Sequence, residues 1–466
     1  MKYVSTRGKA PVLGFDDVLL SGLARDGGLY VPESWPTFSV TEMKRLRGLS
    51  YTDLAVEVMA PFVSDCLSRD ELAGLVARAY APFSHTAIAP LKQLDTNLWL
   101  MELFSGPTLA FKDYALQFLG QAFDHVLKKR GEKVTIVGAT SGDTGSAAIE
   151  ACRDREAIDI FILFPNGRVS DVQRRQMTTV PSANVRCLAL DGTFDDCQDA
   201  VKAMFNHTAF RDRHNLSAVN SINWARIMAQ VVYYFWAGLR LGAPERPVAF
   251  SVPTGNFGNV FAGFVAEKMG LPVARFAIGS NSNDILTRFF ETGAMTMAGV
   301  VPTISPSMDI QVSSNFERLL FDLCGRDGAA VERMMLQFRQ SGSYALEETA
   351  LSAARSRFSG LRLSDAETQA VIREIYAGTG ELLDPHSAIG VEAGRRLTGV
   401  EPGTPVVCLA TAHPAKFPQA VQEASGVYPQ LPARLSDLFD RPERMTVIPN
   451  DVAAIERFVA EQVESR

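Results

Sequence analysis

Lys112 lies in the run Ser105-Gly-Pro-Thr-Leu-Ala-Phe-Lys112-Asp113, where a Gly-Pro turn enters a helix whose apolar positions Leu116, Leu119, Phe123, Val126 and Leu127 form one stripe. The positive end of a helix dipole disfavours an ammonium, so an amine there gives up its proton more easily and suits Schiff-base chemistry with a carbonyl. A solvated lysine, with Asp113 capping the helix, is the ordinary alternative. Lysine is a poor match for that dipole, and Phe111 beside it suggests partial burial. A second run, Gly138-Ala-Thr-Ser141-Gly-Asp143-Thr144-Gly145-Ser146, falls between a strand and a helix expected over about 144–152. Small residues let the backbone turn tightly and aim N–H groups and hydroxyls at an anion. No Gly-Lys-Ser/Thr follows, which excludes a nucleotide P-loop; without a clean GxGxxG a dinucleotide site stays open but weakly supported. A plain strand–helix turn stays open as the alternative.

Pro253-Thr-Gly255-Asn256-Phe257-Gly258-Asn259 repeats the arrangement, with two glycines three apart opening a helix. Such a loop forms a backbone nest for a dianionic phosphate, and with no basic residue in it the amides themselves must carry the charge. Further candidates are Ser221, Asn223, Arg226 and Gln230. On a helix, Asn223, Arg226 and Gln230 lie within about 60° of one another. Arg226 can then clamp a phosphate bidentately while Asn223 and Ser221 donate beside it. Ile222, Trp224, Ile227 and Met228 make this a largely buried helix, which weakens the reading of Arg226 as a solvated side chain. The last candidate, Leu409-Ala-Thr411-Ala-His413-Pro414-Ala-Lys416, sits at the C-terminal end of a strand, the edge where open α/β sheets bind ligands. His413 is able to titrate as a base, though a lone His next to Pro is more often structural.

These residues need strand ends and helix starts to hold them. Six near-continuous apolar runs, at 134–138, 158–165, 185–190, 248–252, 273–278 and 406–410, suit strands buried on both faces of parallel sheets, with helices as crossovers. The expected architecture is α/β, with two doubly wound, mainly parallel sheets and a helix-rich N-terminal domain. The boundaries expected are 1–95 for the N-terminal domain, 96–213 for a smaller α/β domain carrying the Ser141–Gly145 loop, and 214–466 for a larger one with a mostly helical insertion at about 281–400. A loop region near 426–445 precedes a terminal helix from about Asp451.

The 466 residues carry a net charge of −6, with 47% hydrophobic and 21% charged residues, which excludes a disordered tail, a collagenous chain and a basic nucleic-acid binder. Six scattered cysteines (Cys66, Cys152, Cys187, Cys197, Cys324, Cys408) form no CxxC pair, so no metal site or disulfide framework is expected and the thiols should be reduced. The start has no apolar run of signal-peptide length, and the apolar stretch at 231–239 is about half a bilayer span, as a buried helix would be. A soluble cytoplasmic protein with neither nucleic-acid nor membrane partners is expected.

Together the motifs resemble the threonine synthase family of pyridoxal-phosphate (PLP) enzymes, of fold type II and tryptophan-synthase-β-like. The resemblance runs from Tyr3-Val-Ser-Thr-Arg-Gly8 and Asp26-Gly-Gly-Leu-Tyr-Val-Pro32, through the three glycine-rich runs, to Asp384-Pro-His-Ser-Ala-Ile-Gly390 and Thr411-Ala-His-Pro-Ala-Lys416. It covers nearly the whole chain and is closest to the longer bacterial and fungal branch. It implies that Lys112 carries PLP as a Schiff base, that Gly255, Asn256, Phe257, Gly258 and Asn259 hold the cofactor phosphate, and that Thr411 bonds the pyridine nitrogen. Asp143 stands where many relatives of this fold have an asparagine near the cofactor's phenolic oxygen. A carboxylate there must be protonated or turned away to avoid repelling a phenolate. The resemblance further implies that Ser141 and Thr144 take the substrate carboxylate, and Ser221, Asn223 and Arg226 its phosphate.

The implied reaction makes L-threonine and phosphate from O-phospho-L-homoserine and water, by β,γ-elimination and β-addition, in an enzyme acting as a monomer or homodimer. A PLP-dependent serine/threonine dehydratase or a phospho-lyase giving a 2-oxo acid is the alternative within the class. A non-catalytic relative would be expected to have lost Lys112 or the phosphate loop.

Overall fold

A computed structural model describes residues 1–218 and 220–465. The chain divides into two units, one of Met1–Phe111 with Ser221–Pro429, the other of Lys112–Asn220 with the segment from Gln430 to the C-terminus.

The larger unit is built on a six-stranded sheet in the spatial order Phe358–Arg362, Val273–Ser280, Val248–Pro253, Val406–Ala410, Leu98–Glu102, Leu91–Asp95. All neighbours are parallel except the last pair. The two central strands, Val248–Pro253 and Val406–Ala410, are buried at every residue, which is why they read as continuous apolar runs with no alternation. Helix Trp224–Arg240 is buried from Trp224 to Leu239. Its Trp224 ring meets Tyr3 and Phe62, and its Trp236 meets Tyr51. Those contacts, with the Thr6 hydroxyl donating to Glu317 at 2.6 Å and Arg7 paired to Glu317 at 2.9 Å, draw the N-terminal segment into this unit. The segment 1–95 thus packs within the larger unit.

The smaller unit carries a five-stranded, all-parallel sheet in the order Thr446–Pro449, Val185–Asp191, Ile158–Pro165, Val134–Ala139, Leu216–Ser217. The returning C-terminal segment supplies an edge strand and helix Val452–Glu464, whose Ile455 and Val459 are fully buried in a cluster with Phe161, Leu188 and Met204. The expected boundary that placed all of 214–466 in one domain thus differs from the structure. Strand Thr446–Pro449 gave little sign of itself, because three of its four residues are exposed and it ends in Pro449.

All six expected strands form, within two residues of the expected bounds. The stretch 281–400 is mostly helical, as expected, yet not all of it is an insertion. Phe358–Arg362 pairs with Val273–Ser280, and helix Pro385–Val400 packs Ala388, Ile389 and Val391 into the sheet's core. Among the described residues no helix is long and apolar enough to cross a membrane.

Candidate active site

In the smaller unit, Lys112 is the first residue of helix Lys112–Arg130, and its side chain is only 11% exposed. The helix is buried well beyond the expected stripe: Asp113, Gln117, Gln121 and Asp124 are covered too, and its exposed last turn carries Lys128, Lys129 and Arg130. A solvated lysine is excluded at this position. Lys112 Nζ lies 3.4 Å from Asp143 Oδ2.

Asp143 opens helix Asp143–Cys152 and is buried. The turn before it is held by the Thr140 hydroxyl oxygen, which accepts from the Gly142 amide at 3.0 Å and the Gly145 amide at 2.8 Å. Gly142 has φ +138°, a conformation L side chains rarely adopt, and a Cβ there would come within 2.5 Å of the Gln173 side chain. Gln173 uses that space: its Nε2 donates to Asp143 Oδ1 at 2.9 Å. Ser141 and Thr144 flank this turn, half-buried, and their hydroxyls bond no protein group among the described residues. They suit a carboxylate ligand at the helix N-terminus.

In the larger unit, strand Val248–Pro253 runs into a loop that ends at Phe257 (φ +60°), which caps helix Gly258–Lys268. The left-handed Phe257 is fixed by burial of its ring against Phe316, with centroids 5.0 Å apart, and by its amide donating to Thr254 Oγ1 at 3.2 Å. The loop's carbonyls are engaged: Gly255 O accepts from Ser313 Oγ at 2.7 Å, and Asn256 O from the Asn315 amide at 3.1 Å. The amides of Gly255, Asn256, Gly258 and Asn259 find no acceptor among the described residues. A Cβ on Gly255 would stand 2.9 Å from Ile310 Cγ1, so the loop lies too close to that segment for any other residue. Asn259 is buried; its Oδ1 accepts from Tyr233 at 2.7 Å and Tyr234 at 2.8 Å, leaving Nδ2 with no partner. Open amides plus one orphaned amide nitrogen at a helix start fit a phosphate, and hence the cofactor's.

Thr411 follows strand Val406–Ala410 directly. Its amide donates to Ser387 Oγ at 3.0 Å and its carbonyl accepts from the Phe111 amide at 2.9 Å, the residue before Lys112. The Thr411 hydroxyl bonds no protein group among the described residues. Ser387 is itself held by Asp384, which caps helix Pro385–Val400 and accepts from His386 Nδ1 at 2.8 Å. His413 is structural: its Nδ1 accepts from the Ala415 amide at 3.1 Å, and its ring stands edge-on to Phe104.

Two arginines are fully buried in this unit, and they differ in one respect. Arg318 donates to the Tyr30 and Ile222 carbonyls and to Asn315. Arg226 has Nε and Nη1 without a partner, and burial pushes its guanidinium down to about 10 from an ordinary 12.5. A buried cation with open donors is a site awaiting an anion. Ser221 lies just before this helix and is half-buried. Asn223 caps the Arg226 helix by accepting from the Ala225 amide at 3.0 Å and donates one amide hydrogen to Leu19 O at 2.8 Å. Gln173, Tyr233 and Tyr234 were not singled out in the sequence, for no local pattern marks a side chain that acts on a distant loop.

The lysine at a buried helix start, the open phosphate nest and the bare threonine hydroxyl at a strand end fit a PLP enzyme, and the family model for pyridoxal-phosphate dependent enzymes matches residues 83–337, more than half of the chain. The chain belongs to that class. Models for the threonine synthase N terminus and C-terminal region match residues 2–80 and 387–459. A threonine synthase of Pseudomonas aeruginosa is 55% identical over 99% of this chain and 98% of its own. The crystal structure of PLP-bound threonine synthase from Brucella melitensis is 56% identical, with a TM-score of 0.97 over 99% of both chains. The yeast threonine synthase structure is 38% identical with a TM-score of 0.95, over 100% of this chain and 99% of its own. The chain belongs to the threonine synthase family, with PLP as its cofactor.

Proposed function

We propose that the enzyme converts O-phospho-L-homoserine and water into L-threonine and inorganic phosphate. The observation that carries this reading is the buried, unpaired guanidinium of Arg226, a second anion site besides the backbone nest at Gly255–Asn259. One anion site holds the cofactor phosphate. The other takes a phosphate that belongs to the substrate, with Ser221 beside it.

When bound, PLP supplies an electron sink conjugated to the substrate's Cα. Lys112 holds the cofactor before the substrate arrives, and its freed amine then removes the Cα proton. Loss of a Cβ proton expels the phosphate from Cγ with its bonding electrons, and Arg226 neutralises the departing charge. A proton is delivered to Cγ, the hydroxyl of water joins Cβ, and Lys112 returns a proton to Cα. Ser141, Thr144 and the adjacent amides fix the substrate carboxylate, so that the Cα–H bond stays aligned with the amine. Thr411 offers the pyridine nitrogen a neutral hydroxyl, which leaves the ring a milder sink than a carboxylate partner would.

Product analysis with O-phospho-L-homoserine tests the proposal. Threonine should form in step with phosphate, with little 2-oxobutyrate. A 2-oxo acid as the main product transfers the chain to the dehydratase or phospho-lyase reading. Free thiols at all six cysteines accord with a reducing compartment, and we place the enzyme in the cytoplasm, acting as a monomer or homodimer.

A further inference from the structure

Gln173 and Asp143 join two helix starts of the smaller unit through a buried hydrogen bond. We propose that Gln173 is a positioning residue that turns the Asp143 carboxylate toward Lys112, making Asp143 the counter-ion for the proton that Lys112 takes from the substrate. The inference rests on Lys112 being the proton-transfer group of the reaction proposed above.

Asp143 and Gln173 are 4% and 3% exposed, so a charge here must find its donors within the protein. Gln173 Nε2 lies 2.9 Å from Oδ1, and Lys112 Nζ lies 3.4 Å from Oδ2. An ionised carboxylate only accepts, so Gln173 Nε2 faces Asp143 Oδ1. Oε1 then accepts from Ser170 Oγ at 2.9 Å, which itself accepts from the Gln173 backbone amide at 3.3 Å as the cap of helix Asp171–Thr178. A donor on one oxygen favours the ionised carboxylate and leaves the other oxygen for the lysine. The absence of a side chain at Gly142 lets Gln173 lie across the turn.

A carboxylate aimed at the cofactor's phenolic oxygen would repel it; aimed at the amine, it stabilises the ammonium that exists after proton abstraction. The other charged groups of these elements have counter-charges of their own. Asp113 faces Arg434. Arg174 pairs with Asp171 at 2.8 Å and Glu443 at 2.9 Å, Arg175 with Glu443 at 3.5 Å, and Glu150 with Arg153 at 3.2 Å.

The test uses the holoenzyme and two readouts. The first is the pH midpoint at which the visible band of the protonated Lys112–cofactor link fades, measured without substrate. The second is the split between kcat and KM. Q173M keeps the size of the side chain and removes its donor. It should lower the midpoint by about one pH unit and kcat about tenfold, with KM within about twofold, the scale of one hydrogen bond to a charge. D143N should lower the midpoint at least as far, and adding Q173M to it should do nothing more. A midpoint unmoved in either variant overturns the inference, as do effects that simply add in the double variant. If Q173M does not fold, D143N carries the spectral test alone. A band that shifts in a protein making no threonine removes the reaction and keeps the positioning role; a threonine-forming enzyme whose band ignores both variants does the reverse.

Discussion

Replacing Arg226 with methionine separates what this residue costs the fold from what it gives the reaction. In the folded chain the guanidinium falls from its usual range to about 10, because burial strips its water while Nε and Nη1 find no partner. At roughly 1.4 kcal/mol per pH unit, holding the charge there costs about 3 kcal/mol. At neutral pH the residue is charged in folded and unfolded chains alike, so the whole cost is present. The folded chain sheds the proton first, so the cost fades only as pH rises above about 10 toward the ordinary arginine range. R226M should therefore raise the melting temperature of the phosphate-free protein at pH 7. Its effect on turnover runs the other way. Two open nitrogens can each make a charge-assisted bond of about 1.5–3 kcal/mol to the substrate phosphate, so kcat/KM for O-phosphohomoserine should fall roughly 10²- to 10⁴-fold. Calorimetry with and without inorganic phosphate gives the second arm. Phosphate should stabilise the wild-type protein and leave R226M indifferent. Turnover within about threefold of wild type, or equal stabilisation of both proteins by phosphate, would refute the assignment of Arg226.

Other substitutions test the supports of the site. G142A forces a side chain into φ +138° and into the space of Gln173, and should destabilise the turn by about 1–3 kcal/mol, seen as faster amide exchange over 140–146. S387A removes the acceptor of the Thr411 amide and a partner of Asp384; it should cost about 1–3 kcal/mol in thermal stability and speed cofactor loss on dialysis. I455A opens a cavity in the smaller unit's core and should cost about 2–5 kcal/mol, with limited proteolysis cutting first within 112–218 while 221–429 resists.

The sequence made the central strands and the loops they feed readable, because both obey local rules. Val248–Pro253 is apolar throughout as it is covered on both faces, and the Gly255–Asn259 loop announces itself by residues that only a tight anion nest demands. The edges were not readable. Thr446–Pro449 exposes three of its four residues, and Leu216–Ser217 is two residues long, so neither carries a period to detect. Long-range packing was unreadable for a related reason. Trp224 binding the N-terminal segment, and Ile455 completing a core begun three hundred residues earlier, are long-range packing facts with no local signature.

The polar residues show the same division more sharply. Arg226 and Arg318 are alike as letters, each in an apolar helix, and nothing in the chain says which of them binds a ligand. Counting hydrogen-bond partners decides it: Arg318 spends its donors on three protein groups, whereas two nitrogens of Arg226 have none. Asp143 presents the converse case. Read in the sequence, it is a misplaced negative charge beside an electron-rich cofactor, and replacement by asparagine would look harmless. One of its oxygens faces the Gln173 amide and the other the Lys112 amine, so asparagine would turn an N–H toward one of these donors and remove the charge that faces the amine. An asparagine at 143 is therefore conservative in shape alone, and the lysine's proton is where the difference must register.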